Sequence, residues 1–416
     1  MKQNRTNSTA SLKLIPHVVD DWQRALMEVA RIKGLERDLS PHDKIKVILK
    51  QELKNIRQLW EAFTVERSEM PRYLLDPKKQ SVAYLAGFHL PNLLRFQGLL
   101  ERVGSRMNWP KLLSQVNHLH VTDWGCGTGA LSHGWSLFLK KHKVADERLT
   151  WSLIDQHGAF LDTTKLLLRM QRPKLEIQSG KGRLEALIGK MLHAATEQKP
   201  DLHVILMGYV WNELQDNPRA RRKVEESLMK LADQPCLIFL LEPGNQFPAR
   251  QAMELRDLLV ETQWQALYPC PKAANCPMLE NNRDWCYSEF TWNRPPLVTM
   301  LDERLEINHE KISSSCYCFA SPSAMTLINK AGYQSPEEVV VGRPTPRRKP
   351  LEAKKKAFGP KFEYLICAGE RLIKKAPPKG GELLLRGQNF VANPVKPAKE
   401  IQKKGGFKKK PPRKKT

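Results

Sequence analysis

The 416-residue sequence predicts an α/β fold: a Rossmann-like parallel sheet behind an N-terminal helical region, with a cysteine-rich insertion and a basic, disordered tail. Three observations predict it. From residue 118 onward, short apolar runs alternate with amphipathic helical stretches, as in a parallel sheet covered on both faces. One run ends in a glycine-rich turn, Asp123-Trp-Gly-Cys-Gly-Thr-Gly129. Charge is also unevenly spread: of the net +24, residues 342–416 carry +18 (23 basic, 5 acidic), leaving +6 on the other 341.

Residues 1–80 form the helical region. A polar arm leads into a short helix around Val18–Lys33, and Ser40-Pro41 reads as an N-cap with proline in the first turn. The helix that follows, His42 to about Thr64, places Ile45, Ile48, Ile56, Leu59 and Phe63 on a helical period. The core, residues 81–266, opens with a helix over Ser81–Val103. Strands are expected at His118–Asp123, Leu149–Asp155, Leu175–Gln178, Asp201–Met207 and Cys236–Glu242. Helices are expected at Leu131–Lys141, Ala159–Met170, Arg219–Ala232 and Phe247–Gln263. The fourth strand is apolar throughout, as a strand buried on both faces requires. Residues 267–300 lose this pattern and form the cysteine-rich segment. Residues 301–387 complete the body with strands at Glu310–Phe319 and Phe362–Cys367. Residues 388–416 are too poor in apolar side chains to offset the entropy of ordering.

The glycine turn is the first functional signal. Glycine lets a ligand approach the backbone closely, and amides at a helix start face polar or anionic groups. The next strand ends in an acid, Asp155, placed to accept the two hydroxyls of a ribose. A dinucleotide fold uses GxGxxG; here the spacing is Gly125-Cys-Gly127-Thr-Gly129, followed by Ala130. That spacing resembles the first motif of class I S-adenosylmethionine-dependent methyltransferases. The resemblance implies a methyltransferase sheet with S-adenosylmethionine held by Asp123, Gly125, Gly127, Gly129 and Asp155. A nicotinamide site, or a tight turn with no ligand, are the alternatives.

In open parallel sheets the ligand crevice lies outside the carboxyl ends of the strands. Asn212 and Glu213, after the fourth strand, are therefore candidates to face substrate or cofactor; capping the next helix is the alternative. No Asn/Asp-Pro-Pro-Tyr/Phe segment and no Pro-Cys nucleophile follows the fourth or fifth strand, so no residue is assigned to catalysis. Cofactor binding is better supported than turnover.

Of the eight cysteines, Cys270, Cys276 and Cys286 fall within 17 residues, in a segment with little regular structure. Thiolates are soft metal ligands, and a loop without its own core gains folding energy from a metal. The CxxC pairs usual for zinc are absent, so the spacing suits an iron–sulfur cluster better, with zinc as the alternative. An all-cysteine cluster needs a fourth thiolate, for which Cys316, Cys318 and Cys367 are candidates.

The steps Cys270-Pro271, Cys276-Pro277 and Asp284-Trp285-Cys286 resemble the signature of the small-ribosomal-subunit methyltransferase-like family, found in bacteria and mitochondria. Asn212-Glu213-Leu214 and Glu242-Pro243-Gly244 match its segments after the fourth and fifth strands. The resemblance runs from about Ser81 to Cys367. It implies a [4Fe–4S] cluster on Cys270, Cys276, Cys286 and Cys367. It also implies association with small-subunit rRNA during ribosome assembly or translation, either as a methyltransferase or as a non-catalytic assembly factor. Asn245 stands where the family often has Thr, and the long basic tail is a further departure.

The tail suits a polyanion such as RNA, because phosphate contacts release counterions; a solubilising tail is the alternative. No run of about 18 apolar residues occurs, so no membrane span is expected. The first residues are basic with Ser and Thr and lack the apolar stretch of a secretory signal. The expected location is cytoplasmic and ribosome-associated, with the mitochondrial matrix as alternative. Nothing in the sequence points to a homo-oligomer.

Overall fold

The structure, a computed structural model, describes residues 11–30, 39–64, 77–271, 275–343, 345–346, 362–377 and 383–390. Most of the basic tail lies outside these residues. Gln388 is buried, Asn389 accepts a hydrogen bond from Arg106 (3.0 Å), and Phe390 packs beside Tyr364 and Ile366, so the chain is still docked at Phe390.

Strands β1 (Leu119–Trp124), β2 (Leu149–Asp155), β3 (Glu176–Lys181), β4 (Leu202–Gly208) and β5 (Cys236–Pro243) pair in parallel, in the order β3-β2-β1-β4-β5. Beyond β5 the sheet turns antiparallel. β8 (Lys311–Ala320) pairs with β5, and both β6 (Gln265–Tyr268) and β7 (Ser288–Thr291) pair with β8. Register brings Trp124 beside Ile154 and Met207, and Met207 beside Leu240. The strands thus end level, and the loops after β1, β2, β4 and β5 gather on one edge.

Side chains on both faces are buried: β1 is buried along its whole length, and Trp124, Trp135, Trp151, Trp211 and Trp264 are fully buried around the sheet. The helices Ala130–Lys141, Gly158–Gln171, Pro218–Lys230 and Gln246–Glu261 cover it. So does Leu184–Glu197, a helix missing from the sequence expectations. Within the segment expected to lack regular structure, β7 is hidden by its polar sequence Ser-Glu-Phe-Thr, yet Phe290 anchors it in the core.

The helix expected over Ser81–Val103 is two helices, Pro77–Gly87 and His89–Gly104. Pro91 has no N–H to bond the Gly87 carbonyl, so the ladder breaks at Phe88. Ser40 caps the helix Pro41–Thr64: the Asp43 amide donates to its Oγ (3.2 Å), and Oγ donates to the Asp43 carboxylate (2.6 Å). A small second sheet, built on Phe362–Cys367, carries Cys367 at the end of its central strand. Among the described residues no helix is long and apolar enough to cross a membrane.

Candidate active site and cysteine cavity

The turn after β1 holds three glycines at positive φ: Gly125 (+65°), Gly127 (+53°) and Gly129 (+77°). The Cys126 amide donates to Ile154 O (3.0 Å) and the Gly129 amide to Cys126 O (2.8 Å), which folds the turn over the end of β2. Asp155 then locks it. Its Oδ2 accepts the Gly127 amide (2.9 Å) and its Oδ1 the His157 amide (2.8 Å). Burial pushes the Asp155 carboxyl up, and these two N–H groups oppose the rise.

The glycines have different tasks. Gly125 and Gly127 face a cleft of about 420 Å³, together with Asp155, Gln156, His157, Phe160 and the 182–185 loop after β3. That size lies within the range of roughly 300–1,000 Å³ usual for small-molecule sites. Gly129 does not face the cleft; a Cβ there would meet Thr164 at 2.7 Å. Asp123 also lies off the cleft wall. Its Oδ2 accepts Ser132 Oγ (2.6 Å), and burial, with Asp155 adding, pushes it up to about 7. Asp123 and Gly129 therefore support the turn from beneath. Cys126 is buried in the turn, where burial pushes its thiol up.

After β4, Asn212 is tied into the protein. Its Nδ2 donates to Tyr209 O (2.8 Å) and to Glu242 Oε2 (2.6 Å), while Glu242 Oε1 accepts the Trp211 amide (2.8 Å). Burial lifts Glu242 to about 8 against these donors. The cap of the next helix is Asn217, whose Oδ1 accepts the Ala220 amide (3.0 Å). Glu213 instead stands in the wall between the cleft and a second cavity of about 170 Å³. Its side chain is exposed to the open space of the two cavities. Desolvation by the cavity walls pushes it up to about 8, with Asp155 adding to the rise.

Cys270, Cys276, Cys286 and Cys367 line one small cavity beneath the far edge of the sheet, with Arg256, Met278 and Tyr317. Cys316 and Cys318 are buried within β8 and do not line it. None of the eight cysteines forms a disulfide. Arg256 Nε donates to Cys270 Sγ (3.2 Å), and its guanidinium also pairs with Asp257. Burial, then the neighbouring thiols, pushes Cys276 up to about 12 and Cys367 to about 11, and Cys286 rises as well. Among the described residues no group of three or more His, Cys, Asp or Glu side chains is arranged to hold a metal ion.

Arginines from the body hold this irregular segment by its carbonyls. Arg106, fully buried, donates to Leu267 O (2.6 Å) and Pro269 O (2.9 Å). Arg250 donates to Asn281 O (2.7 Å) and Asp284 O (2.9 Å), and Arg386 to Trp285 O (2.7 Å). Sequence reading missed all three, because they are far from the segment in the chain and look like any other arginine.

Residues 147–328 match the profile of a family described as mitochondrial small ribosomal subunit Rsm22. The match takes in Asp155, Asn212, Glu213, Cys270, Cys276 and Cys286, but not the glycine turn or Cys367. No curated protein matches the chain. Among solved structures, a candidate class I S-adenosylmethionine-dependent methyltransferase from Listeria monocytogenes shares 12% identity over 73% of this chain and 87% of its own, with a TM-score of 0.37. A candidate RNA methyltransferase from Pyrococcus horikoshii shares 11% identity over 73% of this chain and 98% of its own, with a TM-score of 0.29. A methyltransferase from Geobacter sulfurreducens in complex with S-adenosyl-L-homocysteine shares 12% identity over 53% of this chain and 90% of its own, with a TM-score of 0.28.

Proposed function

We propose that the chain binds S-adenosylmethionine in the 420 Å³ cleft and works with small-subunit ribosomal RNA, as a methyltransferase of that RNA. The observation that carries the cofactor reading is the joint between Gly127 and Asp155. A backbone with no side chain faces the cleft, and the acid at the end of β2 holds it there (2.9 Å). Each Asp155 oxygen keeps a lone pair for a ribose hydroxyl after accepting its one amide. The Rsm22 match supports the ribosomal part and favours a mitochondrial over a cytoplasmic site of action.

The reading includes a [4Fe–4S] cluster on Cys270, Cys276, Cys286 and Cys367. Three thiols of one segment and a fourth from the second sheet, unpaired in disulfides, meet at one cavity with a cation among them. A cubane cluster spreads its four sulfurs wider than a single ion does. The space between them is about 20 Å³, so the thiols must draw back by side-chain rotation to admit one. Once bound, it adds coordination bonds that tie the irregular segment to the second sheet.

Calorimetry with S-adenosylmethionine, together with iron analysis and absorption near ~400 nm on anaerobic protein, tests both parts. No S-adenosylmethionine binding refutes the cofactor reading, and folded, iron-free, colourless protein refutes the cluster. A second reading, a non-catalytic assembly factor, is favoured by Asn212, whose amide hydrogens are both spent inside the protein. Mapping rRNA methylation in a strain lacking the protein separates the two. A lost mark supports the methyltransferase; cofactor binding with every mark intact supports the assembly factor.

A further inference from the structure

The second cavity, about 170 Å³, has no part in holding the turn or the ribose acid, yet it shares Phe63, Tyr84, Tyr209 and Glu213 with the cofactor cleft. We infer that it is the acceptor site, that it takes one unstacked nucleobase, and that Glu213 receives the proton from the base nitrogen that is methylated. This rests on the reading that the neighbouring cleft holds S-adenosylmethionine.

The walls argue for a flat, π-rich guest. Trp60, Phe63, Tyr84 and Phe88 are among the cavity's lining residues. Phe88 lies against Tyr84, with ring centroids 5.2 Å apart and planes at 29°, and Phe63 meets Phe88 edge-on at 5.2 Å. Bases pulled out of a strand are held by aromatic stacking, and enzymes that modify a base must take it out of the stack. A ribose hydroxyl presents no such face. The lining also carries polar groups. Arg95 is fixed by Asn92 Oδ1 (2.8 Å) and Ser313 O (3.0 Å), and Asn212, Asn245 and Glu213 join it.

Glu213 is the distinctive member. Its carboxyl takes no hydrogen bond or ion pair from the described residues, and it stands where the two cavities meet. A carboxylate accepts an N–H at the edge of a base. In the reaction the base nitrogen attacks the methyl carbon of the sulfonium. The N–C bond forms as the S–C bond breaks, the sulfur leaves as a neutral thioether, and the nitrogen's proton passes to the Glu213 carboxylate. Asp155 from β2, Tyr84 from the helix Pro77–Gly87, Tyr209 and Glu242 surround it, and Arg95 is the nearby cation. Desolvation by the cavity walls, with Asp155 adding, holds Glu213 up at about 8, so the carboxylate grows in as pH rises toward that value.

The test uses the full chain, methyl-labelled S-adenosylmethionine and unmodified small-subunit rRNA, as single-stranded fragments and as the same fragments in duplex. Product nucleosides are identified by mass spectrometry, and cofactor affinity is measured on the same protein. Label should appear on a base nitrogen of the single strands, with transfer rising up to about pH 8. Glu213→Gln should cut transfer by about 10²–10⁴-fold, the usual worth of a general base, far more than it changes cofactor Kd. Phe88→Ala should weaken RNA binding about 5–150-fold, as loss of one stacking contact does. Label on ribose or protein, no transfer by a chain that binds the cofactor, or full activity in Glu213→Gln would overturn the inference. A chain that does not bind S-adenosylmethionine at all overturns the cofactor reading itself.

Discussion

Gly127 and Gly129 both sit at positive φ, yet alanine at each should fail differently. At Gly127 (+53°) a Cβ meets nothing within 4 Å, because it points into the cleft. The stability cost is then only the left-handed backbone, about 1–2 kcal/mol. At Gly129 (+77°) the Cβ lies 2.7 Å from Thr164 Oγ1 and Cγ2. Thr164 cannot swing aside, since it is buried and donates to Gly127 O (3.0 Å). Overpacking adds about 1–3 kcal/mol, so Gly129→Ala should cost about 2–5 kcal/mol in all, a large share of a typical ~5–15 kcal/mol stability. Affinity should divide the other way. A methyl group in the cleft at Gly127 should weaken S-adenosylmethionine by about 1–3 kcal/mol, roughly 5–150-fold in Kd. Urea unfolding measures the first quantity and calorimetry the second. Gly127→Ala binding the cofactor as well as the parent would refute the reasoning, because the ligand would then not run along that backbone.

The cysteine cavity predicts a pattern of iron loss. Cys270→Ser, Cys286→Ser and Cys367→Ser should each lose iron and soluble yield, while Cys316→Ser and Cys318→Ser should keep iron; iron content per folded chain decides it. Asp123 is raised to about 7 from an unfolded value near 3.8, so its contribution is complete below about pH 4 and fades as pH rises through 7. Asp123→Asn should therefore flatten the fall in unfolding free energy between pH 5 and pH 8, and an unchanged slope would reject that assignment. Truncation should begin at Val391, since Phe390 is still docked. Removing the chain beyond it should weaken rRNA binding and lower its salt slope, and an equal slope would make the tail a solubilising device.

Local pattern carried the parallel half of the sheet. The strand expected at Leu149–Asp155 is found at those bounds, because each run was short, apolar and closed by a turn signal. The antiparallel half was less legible. β7 has one large apolar residue, and only its partner Lys311–Ser314 makes it a strand. Within the site, Gly127 and Asp155 could be read from motif spacing. The division of labour between Gly127 and Gly129 could not, because it depends on Thr164, which the sequence gives no reason to place there. Arg106 was invisible for the same reason: its carbonyl partners at 267 and 269 are more than a hundred residues away.

One hydrogen-bonded chain makes helix Val18–Ala30 part of the turn's foundation. Asp21 is fully buried. Burial works to raise it, yet hydrogen bonds and charge from His133 and Arg24 bring it below its ordinary value, so it is an acceptor. His133 Nε2 donates to Asp21 (3.2 Å), and His133 Nδ1 meets His89 Nε2 (3.1 Å). His89 Nδ1 meets the Thr128 hydroxyl (3.2 Å), inside the glycine turn itself. Burial and the neighbouring His133 keep His89 well below its usual range, hence neutral. Every ring nitrogen is used once, and all four side chains are buried. Because a buried chain of this kind tolerates no missing member, the helix cannot lift away without stranding a carboxylate and two imidazoles.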